Sequence, residues 1–432
     1  MRRSRGAGAQ VLGVEQPRGR APDRGNAGRD GGTLSESPTV SVVIVSHGRP
    51  ELLRRAAIGV SQLFHRPFEL VVVADQAGLV AISDLPFAQW IKTGHQAEAN
   101  ISAARNQAAG LAAGEILAFI DDDAVPEPTW LNHLTAPFAD PEVMATTGTV
   151  LGRNGISVQW GQRSVDAEGV AHPLNGPLPV GQAVKLEGTN MAIRRQALQT
   201  LGGFDPGFTF FLDETDLAWR LHKAGMRAGF APLATVHHGY AESLRRNAGR
   251  IPRSLFQIGA SSVIYLRKHS DRMDQRLTEI LQEQSERVQR FVRSGQIDVE
   301  EMRRLLDDLR AGMEAGRSAE MVPPQDLAPP PDFVPLVGGE APEPLVLSGR
   351  WFQRRRLMET ARQAAAEGRS SSVFLLAPTV RAHRVRFTRS GVWLQSGGLF
   401  GPSLRDQPRF RPWGFAARIA AEEARLHGIR WP

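Results

Sequence analysis

The stretch Gly114–Pro128, G-E-I-L-A-F-I-D-D-D-A-V-P-E-P, decides how the chain around it is organised. Its apolar run, Ile116–Ile120, is bounded by turn-forming residues and is therefore predicted to be a buried strand. Three carboxylates, Asp121, Asp122 and Asp123, follow it directly. Because unpaired charges are costly to bury, we expect these acids at the rim of a sheet, in water or against a cation.

The carboxyl ends of the strands are the ligand-binding edge of an open α/β sheet. Carboxylate oxygens at this spacing suit Mg²⁺ or Mn²⁺ that carries a phosphate. A solvated acidic turn explains this stretch alone equally well, so the flanking sequence has to decide between the two interpretations.

The composition of the 432-residue chain is ordinary for a globular protein of two or three domains. It contains no cysteine, which excludes disulfides and thiolate metal sites. No apolar stretch is long enough to span a bilayer or is typical of a secretory signal, and we therefore expect a cytoplasmic protein.

The net charge of +7 is unevenly distributed along the chain. Residues 350–432 hold 16 arginines, no lysine and 5 acids, a net charge of +11, and residues 1–38 carry +3. The middle of the chain, residues 39–349, is left with −7. Because the basic residues lie at the two ends, we expect no nucleic-acid binding by the core of the protein.

Apolar strands alternate with helical patterns in the first half of the chain. Val40–Ser46 and Phe68–Val73 are β-branched and nearly continuous, as in parallel strands that are buried on both faces. A helix is predicted between them from Pro50 onward, and the alanine-rich Ala99–Ala113 predicts another. This β-α-β order predicts the α/β fold class, with a mainly parallel sheet and right-handed crossovers.

Further strands are predicted at Val143–Leu151, Lys185–Arg194 and Ala234–His238, with an ordered loop region over the site at Gly152–Val184. Two amphipathic helices separated by Ser294-Gly295-Gln296 predict a helical hairpin. We expect this hairpin to contribute packing rather than chemistry.

The predicted organisation has five parts. They are a disordered Gly- and Arg-rich tail (1–38), an α/β domain (39–250), a helical extension (251–320), a proline-rich linker (321–345) and a small basic α+β appendage (346–432). The appendage interleaves arginines with aromatic residues, a combination that suits anionic lipid headgroups, an acidic glycan or nucleic acid. A small domain with an arginine-rich surface explains the same pattern.

Four sequence elements follow one another between Thr39 and about Tyr240. They are Val40–Ser46; Val71–Asp75; Ala103-Ala104-Arg105-Asn106 with Gly114–Asp123; and a last series of Gly188-Thr189-Asn190-Met191, Gly202-Gly203-Phe204-Asp205, Asp213-Glu214-Thr215-Asp216-Leu217 and His237. In this order and spacing the chain resembles GT-A-fold glycosyltransferases of the family 2 type. The resemblance implies a GT-A (Rossmann-like) sheet and inverting transfer of a sugar to a hydroxyl of a glycan or lipid-linked acceptor.

The resemblance also implies a Mn²⁺ or Mg²⁺ ion and a nucleotide-sugar donor, a UDP-, GDP- or dTDP-sugar. The D-x-D motif of the family falls on Asp121 and Asp123. Asp123 is expected to bind the metal, and Asp121 or Asp122 to hold the ribose or the waters of the metal. His237 matches the family histidine that completes the metal shell, and the adjacent His238 is the alternative ligand.

Contacts to the donor are implied for the following residues. Asp75 matches the carboxylate that accepts from the nucleobase, although Ala74 replaces the usual preceding aspartate and a turn-forming role competes. Arg105 is expected to clamp phosphate, with a surface helix arginine as the competing interpretation. Ser46 and His47 are expected to contact the base or the ribose of the donor. The turn formed by Gly188, Thr189 and Asn190 is expected to approach the donor phosphate or the acceptor.

Inverting transfer needs one base that deprotonates the acceptor hydroxyl as it attacks the anomeric carbon. The acidic pair of the family falls on Asp213 and Glu214, and the resemblance assigns the base to the second position, Glu214. The family usually has aspartate there, so Asp213 is the alternative. Asp216 is expected to cap the helix or to pair with Arg220.

The implied function is a hexosyl- or deoxyhexosyl-transferase of polysaccharide or glycolipid synthesis, with a peripheral contact between the basic appendage and the anionic inner membrane face. The rival is a non-catalytic scaffold of the same fold whose basic ends bind a membrane or a partner. A scaffold has no need to keep Asp121, Asp123, Asp213, Glu214 and His237 together. A nucleotidyltransferase is a weaker rival, because no glycine-rich, lysine-tipped signature follows the first strand.

Overall fold

The computed structural model describes residues 38–239, 251–336 and 341–432 of the chain. The predicted tail, 1–38, lies outside the described residues except for its last position. The first twelve strands are β1 (Val40–Ser46), β2 (Phe68–Ala74), β3 (Ile91–His95), β4 (Ile116–Asp121), β5 (Ala124–Pro126), β6 (Val143–Leu151), β7 (Val158–Trp160), β8 (Arg163–Val165), β9 (Ala171–Pro173), β10 (Ala183–Val184), β11 (Met191–Arg194) and β12 (Arg227–His238).

Nine of these strands form one sheet, with the order β3-β2-β1-β4-β11-β6-β12-β5 and with β7 paired to β6. The first four strands of this path are parallel, and β11 is antiparallel to both of its neighbours. The predicted α/β class with a mainly parallel sheet is confirmed. The carboxyl ends of β1, β2 and β4 therefore meet at one edge, which is where the three aspartates lie.

Helices cover both faces of this sheet. They are α1 (Pro50–Ser61), α2 (Gln76–Ile82), α3 (Ile101–Leu111), α4 (Trp130–Thr135), α5 (Arg195–Thr200) and α6 (Asp213–Lys223). Successive side chains of a strand point to opposite faces, so Val42 and Ile44 join the core beneath α1, whereas Val43 joins the core beneath α3. Both faces of β1 are buried, which explains its continuous β-branched sequence.

The predicted loop region, 152–184, contains short strands as well as loops. The strands β8, β9 and β10 form a small antiparallel sheet of their own. Each has only two or three residues, too few for a periodic pattern to be visible in the sequence. The predicted strand Lys185–Arg194 is also shorter than expected, because only Met191–Arg194 pairs with its neighbours.

The helical extension has three helices, α7 (Phe256–His269), α8 (Met273–Arg293) and α9 (Val299–Ser318). The predicted hairpin corresponds to α8 and α9. The sequence pattern did not predict α7, because residues 259–266 are all buried and so show no amphipathic alternation. The two helices α7 and α9 approach closely at glycines, since a Cβ added to Gly259 would lie 2.3 Å from the carbonyl oxygen of Leu309.

The proline-rich segment that follows lies against the α/β domain. The N–H of Leu336 donates to the carbonyl oxygen of Phe68 at 2.9 Å, and the N–H of Val334 donates to the Glu69 carboxylate at 3.1 Å. The Leu336 side chain is fully buried in the core beneath α1. The described part of this segment is therefore attached to the α/β domain along its course.

The appendage has the strands β13 (Leu345–Arg350), β14 (Ser371–Ala377), β15 (Arg384–Phe387) and β16 (Val392–Gly398), and the helices α10 (Arg354–Ala366) and α11 (Phe415–Leu426). The sheet order is β13-β14-β16-β15, parallel except for β15. One face of this sheet packs against α10 and the other against α11. The appendage therefore contains both strands and helices, as the sequence predicted.

Candidate active site

Three potential metal ligands converge where β4 and β12 end. Single ligand atoms of Asp121, Asp123 and His238 all lie within 4.8 Å of one another. His238 Nε2 is 3.1 Å from Asp123 Oδ1. The pairing of β12 with β5 causes this arrangement, because it places His238 opposite Ala124, the residue that follows Asp123.

The structure places His238, and not the predicted ligand His237, next to the two aspartates. Successive side chains of β12 point to opposite sides, so His237 points away from the aspartates. Its Nε2 lies 2.7 Å from Glu127 Oε1, and its ring lies 4.7 Å from that of Trp393. His238, the alternative left open by the sequence, takes the place beside Asp123.

The residues of this group fit a divalent cation. Two carboxylates and an imidazole are ligands that suit Mn²⁺ and Mg²⁺. The side-chain amide oxygen of Gln159, Oε1, lies 3.2 Å from His238 Nδ1 and can accept a hydrogen bond from it. With the proton on Nδ1, the lone pair of Nε2 faces the carboxylates. A metal-binding histidine requires such a partner, and the sequence did not identify one. Trp160 packs beside the same imidazole, with 5.5 Å between the ring centroids.

Asp122 points inward, although the sequence predicted that it would contact the donor. Its carboxylate is fully buried, accepts a 2.6 Å hydrogen bond from Ser46 Oγ and pairs with Arg49 at 2.9 Å. Burial raises the pKa of Asp122 to about 7, against the opposing effect of Arg49. Arg49 also lies 3.5 Å from Asp123. Ser46 and Asp122 therefore hold the end of β1 and orient Arg49 over the acidic group.

Asp75 has the turn-forming role that competed with nucleobase binding. Its two carboxylate oxygens accept from the backbone N–H groups of Gly48, at 2.7 Å, and Gly78, at 2.8 Å. Asp75 thus caps α2 and fixes the turn after β1. His47 precedes this turn, and its Nδ1 is buried without a hydrogen-bond partner among the described residues. Nucleobase contacts by Asp75 and His47 stay predictions.

Arg105 is a buried residue and not a surface helix arginine. Its guanidinium pairs with Asp213, lies 3.3 Å from Asp121 and donates to the carbonyl oxygen of Gly188 at 3.1 Å. Burial would lower the pKa of Arg105, but the surrounding carboxylates, Asp213 first, outweigh burial and raise it. Arg105 therefore joins the D-x-D group to the acidic pair of α6.

The two carboxylates at the start of α6 differ in their exposure and in their cationic partners. The Asp213 side chain is 3% exposed and pairs with Arg105, whereas Glu214 is 19% exposed and lies 2.7 Å from Lys185 Nζ. Burial raises the pKa of Asp213, with Glu214 acting in the same direction. Burial would also raise the pKa of Glu214, but Lys185 outweighs it and lowers that pKa to about 2.

The backbone before this pair is strained. Phe211 and Leu212 have φ angles of 72° and 66°, in the left-handed region that non-glycine residues rarely adopt. Each such residue costs roughly 1–3 kcal/mol and persists only where its surroundings enforce it. The strain lies directly before Asp213 and Glu214 and sets the direction in which α6 begins.

The predicted donor-binding turn, residues 188–190, combines close packing with structural hydrogen bonds. A Cβ added to Gly188 would lie 2.6 Å from the Arg105 guanidinium, so a larger residue at this position would displace Arg105. Asn190 was expected to approach the donor phosphate or the acceptor. Its amide is fully buried, accepts from Trp130 Nε1 at 2.8 Å and donates to the carbonyl oxygen of Ala234 at 2.8 Å. The hydroxyl of Thr189 is buried and has no partner among the described residues.

Asp216 forms an ion-pair cluster on the other side of α6. The predicted pairing with Arg220 is confirmed, at 2.7 Å, and Lys268 and His269 of α7 lie 2.5 Å and 2.9 Å from the same carboxylate. Burial would raise the pKa of Asp216, but these partners outweigh it and lower the pKa well below its usual value. The cluster attaches α7 to the α/β domain.

Behind the metal group lies a buried ion pair that sequence reasoning missed. Arg430 donates to both carboxylate oxygens of Glu127, at 2.8 Å and 2.5 Å, and its guanidinium lies 4.5 Å from the Trp393 ring centroid. Burial would raise the pKa of Glu127, but Arg430 and His237 lower it to about 2. The pair is separated by 303 positions in the chain and has no local signature in the sequence.

Further hydrogen bonds attach the appendage to the α/β domain around this pair. Gln62 donates to the carbonyl oxygen of Gly391 at 2.8 Å, and the N–H of Val385 donates to the carbonyl oxygen of Asn154 at 2.9 Å. The Thr129 hydroxyl donates to the carbonyl oxygen of Gly428 at 3.2 Å. The appendage thus supports the same strands, β5 and β12, that position His238.

The sheet carries an Asp-Asp-His group and an acidic pair at one edge, as the resemblance to glycosyltransferases implies. Residues 41–202 match the sequence model of glycosyl transferase family 2. This part of the chain is therefore similar to the family 2 glycosyltransferases. The matched region includes β1, the D-x-D carboxylates and the Gly188 turn, and α6 and His238 follow it.

Curated relatives share parts of this chain. The O-antigen biosynthesis protein RfbC of Myxococcus xanthus is 30% identical over 239 residues, which are 50% of this chain and 18% of that protein. The pre-mycofactocin glycosyltransferase of Mycobacterium tuberculosis is 28% identical over 183 residues, 40% of this chain and 36% of that protein. The chain thus spans well under two thirds of the length of these relatives.

Among solved structures, the chain is similar to a crystal structure of GalNAc-T7 with UDP, GalNAc and Mn²⁺. The similarity covers 56% of this chain and 49% of that chain, with 19% sequence identity and a TM-score of 0.43. A TM-score of this size marks a distant likeness only.

Proposed function

We propose that this protein is a metal-dependent, inverting glycosyltransferase. It would transfer a sugar from a nucleotide-diphosphate donor to a hydroxyl of a glycan or glycolipid acceptor. The observation that carries the proposal is the convergence of two carboxylate groups on one buried arginine. Arg105 lies between Asp121 of the metal group and Asp213 of the acidic pair. A scaffold has no use for this arrangement of buried charge, which is costly to maintain.

The residues that would hold the cation are Asp121, Asp123 and His238. A divalent cation bound there would neutralise the negative charge that develops on the departing pyrophosphate. The nucleoside part of the donor would lie along the ends of β1 and β2, where His47 and Asp75 are. Names of relatives such as the O-antigen biosynthesis protein support polysaccharide or cell-surface glycan synthesis. The donor proposed for this reaction is a UDP-, GDP- or dTDP-sugar.

Glu214 is the favoured base of the acidic pair. Its carboxylate is the more exposed of the two, whereas Asp213 is occupied by Arg105. The neighbouring Lys185 keeps Glu214 ionised and ready to accept a proton, but it also makes the carboxylate a weak base. We therefore expect Lys185 to move away from Glu214 when the acceptor hydroxyl approaches.

We also propose that the basic appendage makes a peripheral contact with an anionic membrane. No helix among the described residues is both long and apolar enough to cross a membrane. The net charge of +11 in residues 350–432 supports attraction to anionic lipid headgroups.

The test is hydrolysis of a panel of UDP-, GDP- and dTDP-sugars with Mn²⁺ or Mg²⁺ and with EDTA. We expect metal-dependent release of one nucleotide by the wild type and its loss in Asp123→Ala. The matched control is Asp307→Ala, which removes an exposed carboxylate on α9. Thermal stabilisation by each nucleotide with Mn²⁺ is measured in parallel, because hydrolysis without an acceptor is slow. Absence of both turnover and stabilisation would favour the scaffold.

A further inference from the structure

A cavity of about 1100 Å³ opens on the appendage, away from the metal group. It lies where the parallel strands β13, β14 and β16 finish, and its lining includes Trp351, Ala377 and Gly397 from the ends of these strands. The carboxyl ends of parallel strands are the edge of an α/β sheet at which ligands bind. Nothing in the proposed transfer reaction uses this cavity.

Three arginines line the cavity and no acid does. They are Arg381, from the loop after β14, and Arg384 and Arg386 on β15. All three are exposed, and within the described parts of the chain no carboxylate pairs with them. Guanidinium groups gathered without counter-ions around a concave space create a positive potential there. Their planar donor forks match the oxygens of a carboxylate.

The strand β15 separates the cavity from the α/β domain. Its side chains alternate, so that Arg384 and Arg386 line the cavity while Val385 and Phe387 are buried. Val385 and Phe387 pack in one apolar cluster with Val125 of β5, next to the metal group. The cavity and the candidate active site thus lie on opposite sides of the same strand, which makes them separate sites.

The loop that carries Arg381 is held in place before any ligand arrives. The N–H of Gly398 donates to the carbonyl oxygen of Arg381 at 2.8 Å, and the N–H of Phe400 donates to that of Thr379 at 3.1 Å. A Cβ added to Gly401 would lie 2.1 Å from the carbonyl oxygen of Arg381, so the two segments touch. A preorganised site loses less conformational entropy on binding.

An exposed indole completes one wall of the cavity. Trp351 is 54% exposed, and Val380, 56% exposed, lies on the loop beside Arg381. Large apolar side chains left open next to polar groups mark binding surfaces. A flat indole beside arginines suits the apolar face of a sugar ring that carries a carboxylate. The concave shape of the cavity favours a saccharide chain over the flat surface of a membrane.

We propose that this cavity binds an acidic glycan, a saccharide chain that carries carboxylate groups. Arg381, Arg384 and Arg386 contact the carboxylates, and Trp351 packs against a sugar ring. The cavity holds a part of the saccharide that is remote from the transferred sugar. The proposal relies on the proposed function only for the glycan nature of the ligand, because binding needs neither donor nor metal.

The test is isothermal titration of the full chain with an oligogalacturonate, without donor, at low salt. The pocket variant replaces Arg381, Arg384 and Arg386 by glutamine, and Trp351→Ala is a second variant. The control replaces three exposed arginines of α8 and α9 by glutamine: Arg290, Arg293 and Arg303. We expect affinity to fall at least about tenfold in the pocket variant, from the loss of charge-assisted hydrogen bonds, and to stay within about twofold in the control.

Several outcomes would overturn the proposal. They are no binding by the wild type, equal binding of a neutral dextran oligosaccharide, or an equal loss in the control variant. Vesicles that contain phosphatidylglycerol form a separate arm, and binding of vesicles without binding of the oligogalacturonate would assign the cavity to the membrane. Unchanged thermal unfolding of the variants shows that they fold. The titration contains no donor, so its result does not depend on whether the protein turns over a nucleotide sugar. The proposal for the cavity and the proposed transferase activity can therefore fail independently.

Discussion

Replacing Arg430 by methionine would leave the Glu127 carboxylate buried without its main partner. Both side chains are almost completely buried, at 1% and 2% exposure, so water cannot replace the guanidinium. Removing one partner of a buried ion pair costs about 3–5 kcal/mol. Arg430 and His237 outweigh burial and hold the pKa of Glu127 well below its ordinary value, so the carboxylate is ionised and loses its main compensating charge when Arg430 is removed.

The effect should extend to the metal group. Glu127 also accepts from His237, which precedes His238 on β12, so a displaced Glu127 loosens the strand that positions the imidazole. We therefore expect Arg430→Met to lower the free energy of unfolding by about 3–5 kcal/mol and to weaken the stabilisation by Mn²⁺. Urea unfolding, followed by tryptophan fluorescence and circular dichroism with and without Mn²⁺, measures both effects.

A double-mutant cycle separates the charge from the packing. In Glu127→Gln with Arg430→Met no charge is left unpaired, and we expect the double variant to be more stable than Arg430→Met alone. Arg425→Met is the control, because it removes a partly exposed arginine from the same appendage. A loss below about 1 kcal/mol in Arg430→Met, or additive losses in the double variant, would refute this explanation.

Three further predictions concern the two acidic groups and α6. His238→Ala should abolish the increase in melting temperature caused by Mn²⁺, whereas His237→Ala should destabilise the protein and reduce that increase without abolishing it. Glu214→Gln should lower the rate of sugar transfer by about 10²–10⁴-fold, while nucleotide and Mn²⁺ still stabilise the fold. If Glu214→Gln kept full activity and Asp213→Asn lost it instead, Asp213 would be the base. Because cationic partners outweigh burial and lower the pKa of Asp216 below its ordinary 3.8, its contribution to stability is present above that value and lost as pH falls through the lower folded-state pKa. The free energy of unfolding of Asp216→Asn should therefore be lower at pH 7 and depend less on pH in acid than that of the wild type, as urea unfolding at a series of pH values would show.

Much of the fold could be predicted because its signals are local. A continuous β-branched run such as Val40–Ser46 predicts a strand buried on both faces, and the alternation of such runs with helices predicts a parallel sheet. Short strands in residues 152–184 and the helix α7 could not be predicted. The strands are too short to show a period, and α7 is buried on most sides, so neither has the alternation of apolar and polar residues on which such a prediction rests.

The candidate site was predicted to a similar extent. Acids at the end of an apolar strand are expected at the rim of the sheet, which is where the D-x-D carboxylates lie. The sequence did not predict that Asp122, between them, is buried against Ser46 and Arg49. The acidic pair of α6 was also found from the sequence, as part of a motif. Both predictions depend on residues that are neighbours in the chain, where covalent geometry already brings the side chains together.

Only the tertiary structure decided which partners meet across the fold. The register of β12 against β5 selects His238 over His237, since a shift of one residue reverses the direction of every side chain. Burial turns Arg105 from an ordinary helix residue into the link between two acidic groups, and Arg430 reaches Glu127 from 303 positions away. Such pairs depend on how separate elements pack, and they leave no local pattern in the sequence because neither partner constrains the residues next to the other.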